Sequence, residues 1–254
     1  MIVGLEGGVE RRADHDILRW PALPMAAEGN MLVYDRPPEP SDLPAWEASF
    51  RRAMALWPDV RHLAFGWGGR PPDDAGMVAL EARGYRLETV SVRLAEALAL
   101  APPAPVGIRV RPLQSRAEWG LAVDLQLDAT PEGETLPDYA DFAQARMERC
   151  AALCQRGFGF WLGAFEGPRL AGCLGVFARR GLGRYQMVVT GSAFRRRGVA
   201  GHLVGAAATR AIRTLGARRL VICAEPGSPA DALYGRLGFR PVAPMHRAIR
   251  CADD

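Results

Sequence analysis

Residues 188–212 read VVTGSAFRRRGVAGHLVGAAATRAI, and this stretch decides the fold. An apolar run through Val188, Val189 and Thr190 reaches a polar turn. Arg195, Arg196 and Arg197 then lead into Gly198, Val199, Ala200 and Gly201, and an Ala- and Leu-rich helix follows. Gly198 and Gly201 let the backbone turn successive N–H groups toward one point. Those groups fall in the first turn of a helix, where four donors lack intrahelical partners and the dipole is positive. The arrangement suits a pyrophosphate held by main chain, with arginine adding charge-assisted bonds. A solvated Arg-rich turn would look the same from this stretch alone. The pattern is not GxxxxGK[ST], because the chain has no Lys, and the glycine spacing is not GxGxxG.

Working outward, Tyr185–Thr190 reads as a strand before the loop, the helix runs from about Val199 to Leu215, and Arg219–Ala224 reads as the next strand. A helix crossing between those two strands implies a parallel pair. A short helix then ends near Leu237 with Gly238 as its stop, and one or two final strands close the chain. Upstream, Gly107–Pro112 alternates as a strand, 114–128 and 136–156 read as helices, and 157–165 and 169–178 read as strands joined by Glu166-Gly167-Pro168. The stretch ATPEGETLPD between the two helices is polar and acidic, with Glu132, Glu134 and Asp138.

The composition changes at Ala97–Val106, written ALALAPPAPV, which reads as a semi-rigid extended linker. Before it, 30–34, 60–67 and 85–94 read as strands. Helices are expected at about 42–56, with Ser41 as cap, and from Asp73 or Asp74 to the stop at Gly84. Residues 1–100 are therefore expected as one domain, 101–106 as linker and 107–254 as a second domain. A weak internal repeat supports two related parts. VALEARGYRLETVSVRL from Val78 aligns with ALYGRLGFRPVAPMHRA from Ala232, laying Gly84-Tyr85 on Gly238-Phe239.

The 254 residues are 49% hydrophobic and 24% charged, which excludes collagen-like and wholly disordered chains. No apolar run reaches the roughly 18 residues of a membrane span, and Met1–Arg12 lacks signal-peptide features, so a cytoplasmic protein is expected. Five Cys with no CxxC spacing argue against a disulfide framework or a zinc site, and no metal is expected. Cys150 and Cys154 read as thiols on one helix face. All 32 basic side chains are Arg, which excludes Schiff-base lysine chemistry. Residues 1–104 carry 11 Arg against 15 acidic residues, whereas 105–254 carry 21 against 13. A basic second part suggests an anionic partner, and a phosphorylated cofactor needs less charge than nucleic acid.

Two motifs make the chain recognisable. Arg195-x-x-Gly198-x-Ala200 resembles the (Arg/Gln)-x-x-Gly-x-(Gly/Ala) acyl-CoA motif of the GNAT acetyltransferase superfamily. Ala230-x-x-Leu233-Tyr234-x-x-x-Gly238-Phe239 resembles its C-terminal AxxLYxxxGF signature. The resemblance covers about 107–250 and implies a mixed α+β GNAT fold there, with a partial, degenerate copy in the N-terminal part, as in tandem members. That copy lacks the arginine–glycine loop and has Leu80 where Tyr234 stands.

The resemblance further implies an N-acetyltransferase that takes acetyl-CoA, or another acyl-CoA, and an amine of a small molecule or peptide. Val188, Val189 and Thr190 would pair with pantetheine, and the amides from about Arg196 to Gly201 would hold the pyrophosphate. An N–H near Val188 or Val189 would polarise the thioester carbonyl, and Tyr234 would be the acid for the departing thiolate. Some members carry a Glu before the loop. Here Arg184 fills the slot and Tyr185-Gln186-Met187 brings no carboxylate, so Glu225, through water, is the candidate base, with the acidic loop as another source. His202 could reach phosphate, and Trp119, Phe160 and Trp161 could line an acceptor pocket, although each also suits a packing role. The missing carboxylate favours, as the alternative, a non-catalytic acyl-CoA-binding or sensory module. Nucleic-acid binding has little support because Phe194 alone interleaves the arginines. A homodimer is left open.

Overall fold

The computed structural model describes residues 3–96, 102–130 and 139–251. The acidic loop residues Glu132, Glu134 and Asp138 lie outside the described residues. In chain order the elements are α1 (Val3–Glu6), β1 (Gly8–Arg11), β2 (His15–Arg19), β3 (Met31–Tyr34), α2 (Leu43–Ala53), β4 (His62–Gly68), α3 (Asp74–Glu81) and β5 (Arg86–Ala95). They continue as β6 (Ile108–Pro112), α4 (Arg116–Ala129), α5 (Tyr139–Gln155), β7 (Gly159–Glu166), β8 (Arg169–Arg179) and β9 (Leu182–Thr190). The last are α6 (Val199–Leu215), β10 (Arg219–Ala224), α7 (Pro229–Arg236), β11 (Arg240–Pro241) and β12 (Met245–Cys251). Packing divides the chain into two compact units that are not continuous stretches. The first holds 1–92, 224–226 and 241–254, and the second holds 93–223 and 227–240.

In the first unit the strands run in the order β1-β2-β3-β4-β12-β5. β3 and β4 are parallel, joined through α2, and the other described pairs are antiparallel. The C-terminal strand β12 is thus an interior strand here, between β4 and β5. Its Ala248 is fully buried, with Phe65 and Leu87 as partners. Tyr34 and Trp46 stack at 3.5 Å in the core of this unit, with Phe65 edge-on to both. Glu47 of α2 is buried and accepts from Arg51, Arg83, Tyr85 and Arg250, so β12 is tied by charge as well as by its ladder.

The helix–glycine–strand corners anticipated at Gly84 and Gly238 are alike in detail. Both glycines have positive φ, +75° and +96°, which a side chain would oppose. In each corner the next aromatic N–H closes back on the helix, Tyr85 on Leu80 and Phe239 on Tyr234, both at 3.0 Å.

The second unit's sheet runs β10-β9-β8-β7-β6. β9 and β10 are the expected parallel pair, crossed by α6, and the rest is antiparallel. α6 ends at Gly216 in a left-handed cap, and its buried Val204, Ala207, Ala208 and Ala211 repeat at helical spacing. The described linker residues do not hang free. Pro102 O accepts from His202 Nδ1 at 2.7 Å, and Pro105 O accepts from Ile108 N at 3.0 Å. No helix among the described residues is long and apolar enough to cross a membrane.

Candidate functional site

The arginine loop and its helix behave as hydrogen-bond donors without acceptors. Gly198 precedes α6 with φ +80° and Arg196 has φ +61°, so the chain twice enters the left-handed region within three residues. His202 N bonds Gly198 O and Arg195 N bonds Ser192 O. Between them, the amides of residues 196–201 make no backbone hydrogen bond of normal geometry among the described residues. No side chain caps the helix. Arg195, Arg196 and Gly198 are exposed, while Arg197 pairs with Glu166 and lies 5.1 Å from the Phe194 ring. One face of an exposed helix N-terminus therefore presents a fan of donors under positive charge.

Beside it the sheet opens. β9 and β10 pair only where residues 182–184 face 219–221. Tyr185–Thr190 and Ile222–Cys223 continue without that pairing, so the two strands part and this stretch of β9 has no β10 partner. The other edge of β9 is irregular as well. Cys173 pairs with Val189 and Gly175 with Gln186, so Met187 and Val188 stand opposite Leu174 alone. This is a β-bulge, and Met187 takes φ +49° to make it. At the loop end, the Thr190 hydroxyl is enclosed yet lacks a hydrogen-bond partner. A buried hydroxyl in that condition costs about 1–3 kcal/mol unless something binds it. These features fit a long polar ligand that runs up β9 and ends in an anion at α6.

Tyr234, on α7, is only 3% exposed and packs edge-on to Phe239 at 6.3 Å. Its hydroxyl has no hydrogen-bond partner among the described residues. Burial pushes its pKa up to about 12; the Arg184 charge opposes the rise and the Cys223 thiol adds to it. The neighbouring Tyr185 differs, since its hydroxyl is tied to Val204 O at 2.8 Å.

α7 is held from outside the motif. Ser228 caps it, and Arg93 grips Asp231 through Nε and Nη2 at 2.6 and 2.9 Å while Nη1 reaches Phe239 O at 3.3 Å. This two-point pair sits around the helix that carries Tyr234, and sequence reasoning gave no hint of it. Replacing Arg93 by Met is expected to cost about 2 kcal/mol of unfolding free energy. Asp231→Asn is expected to cost clearly less in that background than alone. Urea unfolding of the four proteins measures the coupling, and equal costs in both backgrounds would remove the pair as its source.

The other expected residues fall as follows. His202 is occupied by Pro102 O on one ring nitrogen. Phe160 and Trp161 are buried, and Trp119 packs 5.6 Å from Trp161, so these rings serve the core. Glu225 is exposed on the turn after β10. Cys150 is buried and Cys154 partly so, consistent with one helix face.

Residues 121–239 match the family model described as the acetyltransferase (GNAT) family. No functionally curated protein matches the chain in sequence. A conserved protein of unknown function from Staphylococcus epidermidis superposes with a TM-score of 0.75 at 12% identity, covering 95% of this chain and 92% of that one. A GCN5-related N-acetyltransferase from Kribbella flavida gives 0.64 at 17% identity, with 98% and 93% covered. A tandem GNAT protein from the clavulanic acid biosynthesis pathway gives 0.57 at 16% identity, with 87% and 75% covered. At these identities the likeness concerns the fold alone. It is the mixed α/β GNAT fold that the two motifs implied.

Proposed function

We propose that the protein, whose residues 121–239 match the acetyltransferase (GNAT) family model, transfers an acetyl group from acetyl-CoA to an amine of a small molecule or peptide. The transfer is by direct attack in a ternary complex. The observation that carries this reading is the continuity of three donor sets: the bulged strand β9, the unpartnered Thr190 hydroxyl, and the free amides of residues 196–201. Val188, Val189 and Thr190 take the pantetheine arm, and residues 195–201 hold the diphosphate. The amide freed at the bulge polarises the thioester carbonyl, stabilising charge that grows as the amine attacks. Tyr234 supplies the proton for the departing thiolate, and Glu225, through water, takes the amine's proton. The first unit is read as a degenerate copy of the same fold, supported by the matched corners at Gly84 and Gly238.

A second reading, an acyl-CoA-binding module without transfer, is favoured by the absence of a carboxylate from residues 184–187. Calorimetric titration with acetyl-CoA, followed by thiol release across a panel of amines, separates the two. Saturable binding with amine-dependent thiol release is the expected result. Binding without release by any amine would favour the second reading, and no binding would overturn both.

A further inference from the structure

The first unit contains its own parallel β–α–β corner, and its charge is opposite to that of the arginine loop. At the carboxyl end of β3, where ligands of parallel sheets commonly sit, a cavity of about 360 Å³ is lined by Asp14, Tyr34, Asp35, Arg36 and Trp46. That volume is at the small end of the usual range for ligand pockets. Arg36 does not make it an anion site. Its two terminal guanidinium nitrogens, Nη1 and Nη2, donate to Asp42 at 2.6 and 2.9 Å, and Asp42 also accepts from Glu39 N. Asp14 and Asp35 are exposed carboxylates; Asp14 is met by His15 Nδ1 at 2.8 Å, and Asp35 makes no hydrogen bond among the described residues, though it faces the charge of Arg36 beside it. Tyr34 is only 6% exposed and is one of the residues that line the cavity. Its hydroxyl has no hydrogen-bond partner among the described residues, and burial beside Asp14 keeps it protonated far above neutral pH.

We infer that this cavity binds a small primary alkylammonium ion. Asp14 and Asp35 face its charge, the Tyr34 oxygen accepts one ammonium N–H, and the edges of the Tyr34–Trp46 stack receive its carbon chain. Three acceptors match the three hydrogens of a primary ammonium, which a quaternary ion would lack. The site is independent of what the second unit transfers.

The test uses the full chain and 1,4-diaminobutane at low ionic strength, followed by calorimetry, with 1,4-butanediol and inorganic phosphate as comparison probes. Saturable binding of the diamine is expected, with neither comparison probe bound at this site. The double variant Asp14→Asn, Asp35→Asn should weaken binding at least about tenfold, and Tyr34→Phe should weaken it less. Both carboxylates are exposed, so the double variant should keep the parent's thermal melt. Unchanged diamine affinity in the double variant would place the amine elsewhere and overturn the inference. So would absence of saturable binding, equal binding of the diol, or phosphate binding that depends on Arg36.

Discussion

Replacing Gly198 by Glu is expected to abolish measurable acetyl-CoA binding, weakening it by roughly a thousandfold. An added Cβ at Gly198 would meet only Pro105 Cγ at 3.8 Å, which is ordinary contact, so the protein itself has room for a side chain. Two effects remain. The residue sits at φ +80°, where an L side chain costs about 1–2 kcal/mol. The carboxylate would stand among the amides of residues 196–201, where the diphosphate is proposed to lie. A like charge at about 4 Å costs on the order of 4 kcal/mol at an effective dielectric of 20, which is close to a factor of a thousand. Gly198→Gln has the same backbone demand without the charge and isolates the first effect; a loss of about tenfold is expected. Calorimetric titration of the three proteins decides it. Equal losses for Gln and Glu would mean that strain, and not an anion, is what Gly198 serves. Full binding by Gly198→Glu would remove the diphosphate from this loop.

What could be read in advance followed from local chemistry. α6 lies at 199–215 and β10 at 219–224 as expected, because an apolar stripe at helical spacing is closed by Gly198 and Gly216 and then gives way to a short β-branched run. Gly84 and Gly238 announce their corners because a left-handed stop is a property of one residue. The site's less regular features have no such local mark. A methionine at φ +49° looks like any strand methionine, so the bulge at Met187 is visible only in its pairing with β8. The grip of Arg93 on Asp231 spans 138 residues and depends on where β5 ends, which periodicity does not report. The β1–β2 hairpin was missed for the converse reason. Gly8–Arg11 has one apolar side chain, Val9, and it is exposed, so the strand is held by its ladder and by Glu10, which accepts from Arg19 of β2 at 2.7 Å. The assignment of β12 to the first unit is likewise a matter of partner choice, since the strand's own alternation fits either unit. Local propensity thus located the glycine–arginine corner where the diphosphate is proposed to lie, and long-range pairing set where β9 and β10 part beside it.

Replacing Tyr234 by Phe is expected to lower kcat by about a hundredfold while leaving acetyl-CoA binding nearly unchanged, because a proton donor acts only as the C–S bond breaks. The raised pKa sharpens this expectation. A hydroxyl held at about 12 lies well above the ordinary thiol value near 8.5, so complete transfer of its proton to the thiolate is uphill. The hydroxyl therefore helps as a hydrogen bond that strengthens while negative charge grows on sulfur, and the nearby Arg184 charge favours that shift. A donor with a more acidic thiol, such as an aryl thioacetate, needs less of this help. The loss caused by Tyr234→Phe should shrink with it, and an equal loss for both thioesters would assign Tyr234 to packing. The pH dependence carries a second check. A group raised from 10 to about 12 on folding favours the protonated state, so its contribution to stability is complete below pH 10 and is lost as pH rises through about 12. Activity should accordingly show no loss from Tyr234 ionisation below pH 10 in the wild type. A basic limb below that pH which disappears in Tyr234→Phe would contradict the burial that sets this pKa, and with it the assignment of Tyr234 as a protonated donor at neutral pH.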